Sequence, residues 1–372
     1  MDLLTSEREV PLVVDLDGTL IRSDLLVESF FALLGTAPLK ALRAVAALRR
    51  GKASLKASLA EHATVDLDAL PFNAAVLEFL AAERARGRRI YLASASDRRH
   101  VEPVAAHLGL FDGVFASEGT VNLAGSRKAA LLCRRFGERG FDYVADARVD
   151  LQVWEKARRA ITVDCTPSLL RALRRHHPDP VVLSARRPAL RDYTSALRVR
   201  RWAKNALMAV PALAAGGVAP GDALTLLAAM LAFSLVASAL YLVNDLTDLG
   251  EDRGHAAKRA RPFAAGSVPI LHGLVLAPAL ALAGGAMAAA ISLPFLGAVL
   301  LYAGLSLGYS IGLKRVPVLC LLTRTALDTT RIIAGAAALD LPLPPWLLVP
   351  CAALLLGLAW VRGRAARRGA RP

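Results

Sequence analysis

Apolar and polar positions divide the chain into two regimes. Up to about Arg201, charged residues are scattered among short apolar runs; after Trp202, charge gathers in brief bursts between long apolar runs. In the first regime three short apolar runs each end on acids or hydroxyls: "VPLVVDLDGTLIRSD" from Val10, "RRIYLASASD" from Arg88 and "FDYVADARVD" from Phe141. A run of this length without alternation predicts a strand buried on both faces, as in a parallel sheet. Residues 22–88, rich in Ala, Leu and Arg, carry a helical pattern and predict a small helical cap between the first two strands. Lys128, in "AGSRKAALL", stands at the start of a predicted helix, and "HHPDPVVLSARRPALRD", from His176, looks like the linker, whose bounds are set at residues 179–197.

The second regime predicts membrane spans, each needing about 20 mostly apolar residues. Six runs qualify, roughly 203–219, 223–243, 268–290, 293–313, 316–338 and 345–361. Pro211 weakens the first, and Arg324, Asp328 and Arg331 weaken the fifth. With the amino terminus inside, the outer loops "GGVAPGD", "SLP" and "LDLPLPP" carry no Lys or Arg. The inner segments hold Lys258, Arg259 and Arg261, then Lys314 and Arg315, then the Arg-rich tail. That asymmetry places the soluble part, the segment after Asn244 and the tail in the cytoplasm. The opening "MDLLTSEREV" lacks the basic and apolar regions of a signal peptide, in keeping with that side. The expected architecture is an α/β domain over 1–178, the linker, and an all-α multi-span membrane bundle over 198–372.

Composition agrees with a soluble part joined to a membrane part: 55% hydrophobic residues with 21% charged in 372 residues. The net charge of +15 raises nucleic acid as a partner. Zinc spacings, RNA-binding aromatic motifs and base-reading basic helices are missing, so that class is set aside. Bases beside apolar runs suit anionic lipid and phosphate substrates instead. Cys133, Cys165, Cys320 and Cys351 are far apart and show neither a metal spacing nor a disulfide framework.

The candidate chemistry lies in two nests of carboxylates. In "YLVNDLTDLGEDRGHAAKRARPFAAG", from Tyr241, the acids come first and the bases after. Asp245, Asp248 and Asp252 at i, i+3 and i+7 line one face if the segment is helical. Three carboxylates there repel unless a cation joins them, and Mg²⁺ takes carboxylates together with substrate phosphate oxygens. Lys258, Arg259 and Arg261 can hold the remaining phosphate charge. A plain charged loop obeying the positive-inside rule accounts for the bases but not for the acids on one face. In the soluble half, Asp15 and Asp17 stand two apart at a strand end and point to one side, facing the carboxyl-end crevice of the sheet. That places a nucleophile and an acid/base beside a metal.

Both nests resemble known families. "NDLTDLGEDRGHAAKRARPFAAG" resembles the first aspartate motif of UbiA-type membrane transferases through Asn244, Asp245, Asp248, Asp252, Lys258, Arg261 and Pro262. "RRWAKNAL" is similar to that family's opening segment at Lys204 and Asn205, and "YSIGLKRVPVL" to the segment before its second aspartate motif at Tyr309, Lys314 and Arg315. The likeness is nearest to the branch of decaprenyl-phosphate phosphoribosyltransferases. It implies a Mg²⁺-bound diphosphate donor, phosphoribosyl or prenyl, and a lipid or aromatic acceptor. Asp245, Asp248 and Asp252 would hold metal; Lys204, Asn205, Asn244, Lys258, Arg261, Tyr309 and Lys314 would bind substrate. That branch has an Asp where this chain has Cys320, and a thiol is a poor Mg²⁺ ligand. Asp328 could stand in for it, or could pair internally with Arg324 or Arg331. The family bundle has about nine spans against the six read here.

DxDGT at Asp15, then Ser94, then Lys128, then Asp146 with Asp150 four on, resembles the haloacid dehalogenase-like phosphatases. The likeness implies a Rossmann-like domain. Asp15 would form an aspartyl-phosphate and Asp17 would act as acid and base. Mg²⁺ would sit on Asp15, Asp17 (through its backbone), Asp146 and Asp150, with Ser94 and Lys128 on the phosphoryl oxygens. The substrate would be a phosphorylated small molecule. Together the likenesses imply a transferase in the inner (plasma) membrane fused to a phosphatase. The alternative is a Mg²⁺-dependent phosphatase anchored by an inactive or incomplete membrane domain.

Overall fold

The computed structural model describes residues 10–369 apart from 120, 185–186, 219 and 314–315. The chain forms two compact units: Met1–Ala189 with Leu246–Ile270, and Leu190–Asp245 with Leu271–Pro372.

In the first unit, β1 (Leu12–Val14) leads into helices α1 (Leu25–Thr36), α2 (Pro38–Ala46) and α3 (Lys52–His62), then α4 (Ala74–Ala85). The chain continues through β2 (Ile90–Asp97), α5 (Arg98–Leu108), β3 (Gly113–Ser117), α6 (Ser126–Phe136), β4 (Asp142–Ala145), α7 (Leu151–Trp154), β5 (Ala160–Val163), α8 (Pro167–Leu173) and β6 (Val181–Ser184). The six strands pair in parallel in the order β3-β2-β1-β4-β5-β6. Successive strand residues point to opposite faces. Leu12, Val14, Ile90 and Leu92 therefore pack with α4 and α5 through Val76, Leu80, Val101 and Val104. Val13, Tyr91, Ala93 and Tyr143 pack on the other side with Leu132, Val153, Trp154 and Leu169. Both faces are covered, which is why these strands read as unbroken apolar runs.

Two boundaries differ from the sequence reading. The expected linker 179–197 supplies β6, the sixth strand, and α9 (Leu190–Ala196). The short apolar run Val181–Val182–Leu183 is what pairs with β5. The expected cap 22–88 is shorter too. Leu33, Ala41, Ala44 and Leu59 form a core of their own among α1–α3, whereas α4 buries Val76 and Leu80 against the sheet.

Beneath the sheet, Asp142 is fully buried and accepts hydrogen bonds from Arg88 and, at 2.8 Å each, from Nε and Nη2 of Arg158. Burial alone would raise the Asp142 carboxyl, but Arg158 and Arg88 hold it below its ordinary value. Replacing Asp142 with Ala removes one of the two carboxylates on buried Arg88, leaving it Glu83 and the Val10 carbonyl. Breaking such a pair costs about 3 kcal/mol. Urea denaturation followed by intrinsic fluorescence should show the midpoint falling accordingly.

The second unit is helical. After α9 come a 3₁₀ stretch (Val199–Ala209) and α10 (Val210–Ala214), then α11 (Pro220–Thr247); α12 (Leu249–Gly254) belongs to the first unit. Helices α13 (Ile270–Ile291), α14 (Leu293–Ile311), α15 (Pro317–Ala338) and α16 (Pro345–Gly369) complete the chain. Phe233, Phe295, Val299 and Tyr302 centre its core. Small residues allow close helix approach. A Cβ on Gly284 would come 2.7 Å from the Ala232 carbonyl oxygen, and one on Gly335 would strike the Met208 backbone.

Three helices among the described residues are long and apolar enough to cross a membrane: Pro220–Thr247, Ile270–Ile291 and Leu293–Ser310. The other three of the six expected spans are not confirmed among the described residues. The run 203–219 folds as the 3₁₀ stretch and the short α10, with Pro211 in the first turn of α10. α15 has the length but carries Arg324, Asp328 and Arg331. The apolar part of α16 covers only Pro345–Val361.

Candidate functional site

The carboxyl ends of β1 and β4 bring the soluble-half residues together. Oxygens of Asp15, Asp146 and Asp150 all lie within 4.8 Å of one another. Lys128, on the first turn of α6, reaches in with Nζ 2.6 Å from Asp15 Oδ1 and 3.7 Å from Asp150 Oδ1. Asp15, Lys128 and Asp150 are all buried. The turn between β1 and α1 depends on Gly18, whose φ of +80° favours glycine. A Cβ there would also strike the Asp146 carboxylate. Thr19 donates to Asp146 Oδ1 at 2.9 Å.

Asp17 lies apart from this trio. Its Oδ2 accepts hydrogen bonds from Ser94 Oγ at 3.1 Å and Ser96 Oγ at 2.7 Å, and its Oδ1 accepts from the Leu25 backbone N–H at 2.8 Å. The carboxylate is thus fixed by the end of β2 and the start of α1. A small cleft opens beside it between cap and sheet, lined by Leu25, Leu26 and Leu59 with Lys56, Ser96 and His100.

The electrostatics are those of crowded acids. Burial, partly offset by Lys128 and reinforced by Asp150 and Asp17, pushes the Asp15 carboxyl up to about 7. Burial and Asp15 drive Asp146 well above its ordinary value. Burial opposes the Lys128 charge, yet Asp15 and Asp150 hold its pKa up. Lys56 is lowered, by burial first.

Three participants carried no motif signal in the sequence. Ser96 is one strand repeat beyond Ser94 and shares its face, so period-two spacing could have found it. Tyr143 links Lys128 (2.9 Å) to Asp150 (2.8 Å) through its hydroxyl; its strand position marks it only as core. Lys56 Nζ lies 2.5 Å from the Ala95 carbonyl oxygen and reaches there only because α3 folds over the sheet. Two nearby polar residues are structural: Asp97 caps α5 by accepting from the Arg99 N–H, and buried His177 bonds the Trp154 carbonyl at 2.7 Å.

The second nest is laid out differently from a single acidic helix face. α11 ends at Thr247, Asp248 sits at the break with φ −93° and ψ 11°, and α12 begins at Leu249. In the first unit, buried Asp252 accepts from Arg261 Nη1 at 2.6 Å and lies 3.6 Å from Lys258 Nζ. In the second unit, Asp245, on the last turn of α11, pairs with Arg198, and Asn244 Oδ1 accepts from Ser310 Oγ at 2.8 Å. Asp328 accepts from Arg331 at 2.8 Å and from Lys204 Nζ at 3.0 and 3.1 Å. Asn205 accepts from Arg331 Nε and donates to Ser234. The Tyr309 hydroxyl is 3.7 Å from Cys320 Sγ. Lys314 lies outside the described residues.

Residues 205–369 match the UbiA prenyltransferase family, and residues 12–155 match haloacid dehalogenase-like hydrolases. The uncharacterized protein y4nM of Sinorhizobium fredii is 36% identical over 350 residues, covering 93% of this chain and 67% of its own. The chain belongs to the UbiA prenyltransferase family and carries a haloacid dehalogenase-like hydrolase domain. The UbiA part is similar to the decaprenyl-phosphate phosphoribosyltransferase of Mycobacterium tuberculosis, at 37% identity over 159 residues and 41% of this chain. It spans about half of that relative, 53% of its length. A haloacid dehalogenase-family hydrolase from Salmonella enterica serovar Typhi overlaps 44% of the chain and 66% of its own, at 17% identity and a TM-score of 0.33. Family membership and the apolar helices mark a membrane protein of enzyme type.

Proposed function

We propose that the chain couples a membrane transferase, which uses a Mg²⁺-bound diphosphate donor and a polyprenyl phosphate or related lipid acceptor, to a Mg²⁺-dependent phosphatase. The observation that carries the phosphatase part is the contact of Lys128 with Asp15 inside the Asp15–Asp146–Asp150 group. Those residues suit Mg²⁺: the donors are all hard carboxylate oxygens, and Asp150 Oδ2 is buried without a hydrogen-bond partner. The ion would offset the charge of the carboxylates and of a bound phosphate.

Asp15 attacks phosphorus, forming an Asp15 O–P bond as the P–O bond to the leaving group breaks. Asp17, held by Ser94, Ser96 and the Leu25 N–H, gives the leaving oxygen its proton and then takes one from the water that frees phosphate. Lys128 supplies positive charge beside the nucleophile. The cap cleft, with its leucines and Lys56, selects the phosphorylated substrate.

For the transferase, the support is the aspartate motif and the relatives. Asp245, Asp248 and Asp252 would hold Mg²⁺; Lys204, Asn205, Asn244, Lys258 and Arg261 would bind donor and acceptor. Asp252 is paired with two of those bases, and its buried Oδ1 makes no hydrogen bond. The location is the inner (plasma) membrane, with the hydrolase domain on the cytoplasmic side against anionic lipid. A second reading, an anchored phosphatase without transfer activity, draws on Cys320 beside Tyr309 and on the pairing of Asp328 with Lys204 and Arg331. Supplying membranes with labelled phosphoribosyl diphosphate and Mg²⁺ decides between them: labelled lipid supports transfer, and its absence leaves the anchored phosphatase.

The acid crowding gives a metal and pH test. Asp15 and Asp146 hold protons more tightly folded than unfolded. The Asp15 contribution to metal-free stability is fully present below the ordinary carboxylate pKa of 3.8 and is lost as pH rises through about 7, and that of Asp146 falls with rising pH in the same sense. A cation that displaces those protons restores it. Mg²⁺ should raise the melting temperature more at pH 8 than at pH 5.5, and EDTA should cancel the difference. An equal rise at both values would count against metal at these acids.

A further inference from the structure

Residues 246–270 lie inside the UbiA match, yet they fold in the compact unit of the hydrolase domain. Leu249, Phe263, Ala264 and Val268 are buried, and Gly266 turns at φ +64° where a Cβ would come 2.9 Å from the Arg22 Cβ. The segment is clamped by one ion pair. Arg253 Nη1 and Nη2 each lie 2.7 Å from a different oxygen of Glu28, on the first turn of α1. Both side chains are more than nine-tenths buried. Arg253 Nε also donates to the Ala264 carbonyl at 3.2 Å, closing the segment across itself, and Ser23 Oγ donates to Glu28 from the other side.

The neighbours give the pair its meaning. α1 starts at Leu25, whose N–H holds Asp17, and Glu28 is one turn further on. Arg253 follows Asp252, the carboxylate that gathers Lys258 and Arg261. Positive-inside topology would be met by bases in any arrangement, so it gives no reason for a buried, bidentate pair at this point. A buried Arg–carboxylate fork fixes orientation as well as distance.

We infer that Glu28 and Arg253 are positioning residues for the transferase: the hydrolase domain, through α1, sets the geometry of the Asp252–Lys258–Arg261 cluster that receives the donor's diphosphate. This rests on the proposed transferase reading. Neither side chain acts on the reacting atoms; the pair acts through the segment it holds.

The full chain in detergent, as wild type, Glu28→Gln, Arg253→Gln and the double variant, tests it. Two readouts are needed: backbone hydrogen exchange over residues 249–268, and the KM and kcat for Mg²⁺-phosphoribosyl diphosphate. The expected result is at least tenfold faster exchange in each single variant and a donor KM raised at least tenfold. The kcat, and phosphate release from para-nitrophenyl phosphate, should stay within threefold of wild type. The double variant, with no uncompensated buried charge, should recover part of the loss. Faster exchange with an unchanged KM makes the pair merely structural and overturns the inference, as do singles in which neither readout moves. A wild-type chain that forms no lipid product removes the transferase reading and this inference with it. A wild-type chain that turns over, with KM unchanged in both singles, removes the inference alone.

Discussion

Asp15→Asn should abolish Mg²⁺-dependent phosphate release, by about four orders of magnitude or more, since removing a covalent nucleophile leaves only binding and electrostatics. The fold should tolerate the change. The amide keeps the shape of the carboxylate, and Lys128 retains Asp150 at 3.7 Å as a partner. Asp15 is also a group that burial disfavours in its charged form, with its pKa pushed to about 7. At pH 8 without metal, the variant should therefore melt within a few degrees of wild type. Loss of activity with intact melting assigns the residue to chemistry. Activity above a few per cent of wild type would exclude Asp15 as the nucleophile. Asp17→Asn should be less severe with substrates whose leaving group needs no proton, such as para-nitrophenyl phosphate, and severe with alkyl phosphates. That contrast separates the acid from the nucleophile.

The soluble site was legible because its logic is local to strand ends. An unbroken apolar run sets a buried parallel strand, and the first polar residues past it must face the crevice; Asp15, Asp17 and Asp146 stand there, whereas Ser94 lies within β2 and entered through the family resemblance. What the sequence could not show depends on long-range packing. Lys56 reaches the site because α3 folds over it, and Tyr143 because strand order sets its hydroxyl between Lys128 and Asp150. The sixth strand was hidden in a stretch with Pro and Arg on both sides, too short to show a period. In the membrane half, apolar length found α11, α13 and α14, and the other three expected spans are not confirmed. A run with Pro211 near its middle became 3₁₀ and short helix, and α15 carries Arg324, Asp328 and Arg331, of which Asp328 and Arg331 pair inside the second unit. Spacing also suggested one acidic face from Asp245 to Asp252; the helix breaks at Asp248, which i, i+3, i+7 arithmetic has no means of seeing.

Asp248→Asn and Asp245→Asn should each lower labelled-lipid formation by about 10²–10³-fold, the size expected when one charged contact to a metal-bound leaving group is lost. The two variants differ in what else they disturb. Asp245 is buried on the last turn of α11 and paired with Arg198, so its neutralisation also weakens an ion pair within the second unit. Asp248 is half-buried at the break between α11 and α12, and the melting temperature of its variant is read beside its activity. A common loss of transfer in variants that stay folded would place both carboxylates in the reaction. Phosphate release should remain at wild-type rate in Asp248→Asn, just as lipid labelling should survive Asp15→Asn if the two chemistries run at separate acids. If Asp248→Asn labels lipid as well as wild type does, the aspartate motif is not the diphosphate site. If wild type labels none while Asp15→Asn still abolishes phosphate release, the helices serve to hold a phosphatase at the membrane.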